Sequence, residues 1–82
     1  MTNTPLNAGS LAEATAQAVS DYLALLGDHD ASNLYRQVVD EVERPLFEAI
    51  MKHTLGNQSK AAMCLGMNRA TLRFKLKRHG LL

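Results

Sequence analysis

No aspartate or glutamate follows Glu48, so the segment Gly56–Leu82 carries no negative charge at all. Cysteine is nearly absent too. The single Cys64 excludes an intrachain disulfide, and its residue type suggests a small buried filler. His29, His53 and His79 stand apart, with no Cys/His spacing of a metal site, so no metal or other cofactor is expected. Tryptophan is missing and aromatics make up 5% of the chain, which points to packing through Leu, Val, Ala and Met. No run approaches the roughly 20 apolar residues of a membrane span. The opening MTNTPLNAGS has neither a basic nor an apolar segment of the kind a secretory signal needs, and a reducing cytoplasm fits.

What remains is one small domain of 82 residues. A lone chain of this size buries only roughly 60–65% of its unfolded surface, so its core is marginal. Without disulfides or metal, oligomerisation is the usual remedy. The net charge of +1 hides an asymmetry. Residues 1–55 set eight acids against Arg36, Arg44 and Lys52, about −5. Gly56–Leu82 holds Lys60, Arg69, Arg73, Lys75, Lys77 and Arg78, or +6. One end is suited to a polyanion.

The periodicity predicts an all-α chain of four helices. Residues 1–9 read as a flexible tail. Ser10, with Glu13 three residues on, forms a capping-box pattern. Leu11, Ala14, Ala18, Tyr22 and Leu25 then mark an amphipathic helix ending near Gly27. Asp30 or Ser32 is expected to cap a second helix running to about Thr54, with Leu34, Val38, Val42, Leu46 and Ile50 every four residues. Pro45 interrupts this helix, removes one backbone hydrogen bond and should kink it or break it in two. Asn57 caps a third helix, roughly Gln58–Leu65, and Gly66 permits a tight turn. Asn68 caps a fourth, about Arg69–Arg78, which Gly80 ends. Residues 10–55 would then be a pair of helices and 56–82 a helix-turn-helix.

The helix-turn-helix reading rests on residue types. Ala62 is small where the helices cross, Gly66 tolerates positive φ four residues later, and Leu65, Met67, Leu72 and Leu76 anchor both helices. The second helix of such a unit enters the major groove with its N-terminal residues at the base edges. Arg69 can make a bidentate contact to guanine, and Thr71 can offer a hydroxyl or a methyl. Arg73, Lys75, Lys77 and Arg78 can neutralise phosphates, and Asn57, Gln58, Ser59 and Lys60 open a helix that can clamp one. Asn57 and Asn68 are caps first, and dipole compensation is the alternative role of Lys77 and Arg78. Asp40, Glu41 and Glu43 read as an acidic helix face. No nucleophile–base set is visible, so an enzyme is not expected.

The segment Leu34–Leu82 resembles the factor-for-inversion-stimulation (Fis) family of bacterial nucleoid proteins. The likeness is carried by Glu43-Arg44-Pro45-Leu46, by Gly56-Asn57-Gln58-Ser59-Lys60-Ala61-Ala62 and by Leu65-Gly66-Met67-Asn68-Arg69-Ala70-Thr71-Leu72-Arg73. It extends more loosely through Leu11–Gly27. The resemblance implies a cytoplasmic, nucleoid-associated homodimer with an intertwined core of the first two helices, which bends double-stranded DNA and regulates transcription. A contact with RNA polymerase goes with that role. Positions matching Asn57, Ser59, Lys60, Asn68, Arg69, Thr71, Arg73 and Lys75 contact DNA in the family, with Asn68 and Arg69 nearest the bases and DNA shape aiding recognition. Together these readings put Asn68, Arg69, Thr71 and Arg73 near the bases. They put Asn57, Gln58, Ser59, Lys60, Lys75, Lys77 and Arg78 on phosphates.

Phe74 replaces a lysine of the family. The best-known members also have an N-terminal arm that activates DNA invertases, for which about ten residues before the first helix are too few, so that activity is not expected. Two other readings compete. One is the similar module at the C-terminus of σ54-dependent activators, normally preceded by an ATPase domain; no P-loop occurs here and the chain starts at Met1. The other is a helical protein-interaction domain whose basic tail binds an acidic partner.

Overall fold

The computed structural model describes Leu6 and residues 8–82. The described residues form four helices and no strand: α1 (Ala8–Leu26), α2 (Leu34–His53), α3 (Gln58–Leu65) and α4 (Arg69–Arg78). The chain divides into two compact units, one ending at Val38 and one running Val39–Leu82. Among the described residues no helix is long and apolar enough to cross a membrane.

In the first unit, α1 begins two residues before the expected cap. Ser10 therefore lies inside the helix, not at its N-cap, and residues 8 and 9 are helical. The rest of the expected tail, apart from Leu6, lies outside the described residues. Gly27, at φ 58°, ends α1 as anticipated. The start of α2 differs from expectation. Neither Asp30 nor Ser32 caps it. Asn33 takes the boundary in the left-handed region, at φ 56°, and its carbonyl accepts from Gln37 N at 3.0 Å. Asparagine is among the few residues that adopt this conformation readily, and it caps helices as well as aspartate or serine does. No described residue of this unit is buried. Leu11 is 50% exposed, Leu23 46% and Leu25 89%, so the apolar face of α1 has no cover within the unit.

The second unit holds the core. Phe47, Ala61, Ala62, Leu72 and Leu76 are buried, and Ile50, Met51, Leu65, Met67 and Leu81 pack against them. α2 remains one continuous helix through Pro45, so of the kink or break expected there the break does not occur. The side chain it buries is Phe47, while Val42 and Leu46, central to the expected apolar face, stay exposed. α2 ends with Gly56 N donating to Met51 O at 2.9 Å, over two left-handed residues, Leu55 (φ 54°) and Gly56 (φ 82°).

Candidate nucleic-acid interface

α3 and α4 have the bounds the sequence gives reason to expect, because both start signals are local. Asn57 Oδ1 accepts from Lys60 N at 3.0 Å, and Asn68 Oδ1 accepts from Ala70 N at 2.7 Å. Each satisfies a backbone N–H that a helix start leaves unpaired. Both asparagines therefore cap with their oxygens, and their amide N–H groups face outward chemistry as donors only. Gly66 closes α3 at φ 74°, with Met67 N donating to Ala62 O at 3.0 Å. This left-handed close turns the chain directly into the Asn68 cap. Ala62, 3% exposed, lets the helices approach, and Leu72 and Leu76 fix α4 from its inner side. The result is a helix-turn-helix.

Arg69, Thr71 and Arg73 are exposed on the first two turns of α4. Lys60 and Lys77 are exposed too, as are Ser59 and Asn57. Among the described residues, Lys60, Arg69, Arg73 and Lys77 form no ion pair. Gln58 differs from the others: it is half-buried, and its Oε1 is buried without a protein hydrogen-bond partner.

Lys75 and Arg78 are engaged by carboxylates. Lys75 Nζ donates to Glu43 Oε2 at 2.9 Å. Arg78 Nη2 donates to Asp40 Oδ1 at 2.7 Å and Oδ2 at 2.8 Å, and its Nη1 lies 3.7 Å from Glu43 Oε1. His79 Nε2 meets Glu43 Oε1 at 3.0 Å, its ring stands edge-on to Phe47 at 5.7 Å, and its carbonyl accepts from Arg44. Burial pushes the Glu43 carboxyl up. The hydrogen bonds from His79 and Lys75, with the attraction of both groups, outweigh that and hold it below its ordinary 4.5. Asp40 and Glu43 are thus a brace for the last turns of α4 rather than only an acidic face. The hint in the sequence is complementary spacing: Asp40 and Glu43 share one helix face, as do Lys75, Arg78 and His79.

Asp40, Glu43 and His79 bring ligating atoms within 4.8 Å of one another, which sequence spacing alone did not suggest. The Lys75 ammonium and the Arg78 guanidinium already supply the positive charge there. The arrangement is an ion-pair network. Cys64 is exposed, not the buried filler expected from its residue type.

A helix-turn-helix with an acid-free, basic second helix defines a class of DNA-binding module. Residues 38–79 match the family of that description, "Bacterial regulatory protein, Fis family". A "DNA-binding protein Fis" of Actinobacillus succinogenes is 46% identical over 99% of this chain and 77% of its own. One from Psychromonas ingrahamii is 51% identical over 87% of this chain and 72% of its own. One from Yersinia enterocolitica is 46% identical over the same shares. The chain belongs to the Fis family of bacterial regulatory proteins.

Proposed function

We propose that this chain binds and bends double-stranded DNA as a homodimer, acting as a nucleoid-associated transcriptional regulator. The observation that carries the reading is α4. It is fixed by Leu72 and Leu76 from within and displays Arg69, Thr71 and Arg73 at an N-terminus capped by Asn68. In such units those residues meet base edges, and an arginine such as Arg69 can read guanine. Lys60 and Lys77, with the exposed openings of α3, supply phosphate contacts. Lys75 and Arg78 serve phosphates only by leaving or sharing their carboxylates, so they contribute less than their charge suggests.

Dimerisation is supported by surface that one chain leaves bare. Leu11, Leu23, Val42 and Leu46 are all more than a third exposed, along the faces of α1 and α2 that the sequence patterns as apolar. A second copy covering these faces would give the marginal core the burial it lacks. Cytoplasmic action on the nucleoid, and a contact with RNA polymerase, follow from the regulatory role as its natural setting.

The test is a gel shift with circularly permuted duplexes, carrying an A/T-rich centre flanked by G and C half-sites, beside sedimentation of the free protein. Mobility that depends on site position, with a sedimenting dimer, supports the reading. A shift independent of position removes bending, and no shift at low salt removes DNA binding. The helix-turn-helix units of two protomers bring eight cations without ion pairs among the described residues, counting Lys60, Arg69, Arg73 and Lys77 twice. If Arg69 reads guanine and the other six neutralise phosphates, log K falls with log salt at a slope of about −5.

A further inference from the structure

Resting on the DNA-binding reading above, we propose that Phe74 is a specificity-determining residue that reads thymine through its 5-methyl group. Phe74 is 68% exposed, although it is the one large apolar side chain displayed on the basic helix α4. Its place on the helix follows from the buried positions. Leu72 and Leu76 are each fully buried and mark the inner side of α4. At roughly 100° per residue, Phe74 lies about 160–200° from both. It therefore sits on the crest directly opposite the core. Ala70, one turn earlier, shares that crest, with Arg73 and Lys77 along one side of it and Thr71 and Arg78 along the other.

The flanking cations suit a nucleic acid and no apolar partner. When α4 docks into the major groove, its outer crest is the part that goes deepest. An aromatic ring carried there is withdrawn from water among polar edges. Of the base edges the groove presents, thymine alone offers an apolar group, and phenylalanine is one of the side chains able to meet it. Ala70 adds no bulk that would hold the ring away from the groove floor. Arg69 then reads guanine from the end of the helix, and Phe74 reads thymine from its crest one turn further on.

The experiment uses the full chain. A tightly bound duplex is selected from a random pool and resynthesised with deoxyuridine in place of each thymine in turn, which removes only the methyl. Affinities are measured for the native chain and for Phe74→Ala and Phe74→Ser. Both variants alter an exposed side chain, and circular dichroism checks their folding. Burying one methyl is worth about a fourfold change in affinity. The expected result is a loss of about that size at one thymine per half-site in the native chain, and no such loss in either variant. If no thymine-to-uracil change weakens binding by the native chain, the inference is overturned while DNA binding stands. If the loss persists in Phe74→Ala and Phe74→Ser, another side chain reads the methyl, which also overturns it. If the native chain retains no duplex from the pool, both the inference and the DNA-binding reading fail.

Discussion

Replacing Glu43 by glutamine isolates the brace behind the recognition helix. The change keeps shape and removes charge. One side chain currently faces three groups of α4 and its C-cap: Lys75 Nζ at 2.9 Å, His79 Nε2 at 3.0 Å and Arg78 Nη1 at 3.7 Å. A hydrogen bond to a charged group is worth roughly 1.5–3 kcal/mol when well shielded, and an exposed ion pair below about 1 kcal/mol. Here Glu43 is 15% exposed and Lys75 31%, between those limits. The glutamine can still accept one bond with its oxygen, but its N–H₂ then faces a second donor. A loss of about 1–2 kcal/mol is expected at neutral pH. Urea unfolding followed by circular dichroism measures it, with both proteins at the same concentration because assembly shifts apparent stability. The pH dependence gives the decisive sign. The Glu43 carboxyl lies below 4.5 in the folded protein, so its contribution is complete above that value. It fades as pH falls through the lower folded value. The gap between native chain and Glu43→Gln should therefore be full at pH 7 and close as the solution is taken below 4.5. A gap absent at pH 7, or one unchanged in acid, would refute the brace.

Three further changes test the frame around it. Gly66→Ala meets no atom within 4 Å, so only the left-handed backbone resists it, at φ 74°. It should destabilise by about 1 kcal/mol in urea melts without abolishing the fold. Leu55→Gly should act in the opposite direction. Leu55 is 94% exposed at φ 54°, so its side chain has little burial to lose, and a gain of roughly 0.5–1 kcal/mol should raise the thermal midpoint. Leu72→Ala empties a fully buried site and should cost about 2–5 kcal/mol in urea melts, disordering α4 along with the core.

The bounds of α3 and α4 were legible because their determinants are neighbours in sequence. Asn57 answers Lys60 N, Asn68 answers Ala70 N, and Gly66 supplies the one left-handed residue between them. The start of α2 was not: Asp30 and Ser32 were expected there, and capping preference does not separate them from Asn33. Asn33 prevailed through a backbone region that side-chain capping preferences do not describe. The brace was hidden for another reason. Asp40 and Arg78 are 38 positions apart, and Glu43 and Lys75 are 32, so only the folded chain joins them. Read along the chain, acids and bases looked like opposed halves. In space, two carboxylates of the acidic half steady the basic helix. Cys64 shows the limit of residue type alone: a thiol that usually lies inside is exposed.

The core that positions α4 is drawn from Phe47 to Leu76, one short stretch of chain. Contacts made between near neighbours in sequence form early, since little loop must be closed, and helical units of this kind assemble in roughly microseconds to milliseconds. Covering the apolar side of α1 with a second copy, as proposed, waits instead on a collision and slows with dilution. The two halves of the molecule then keep different clocks. The contacts of the groove-facing end can form quickly within one chain, whereas pairing tracks how much of the protein is present.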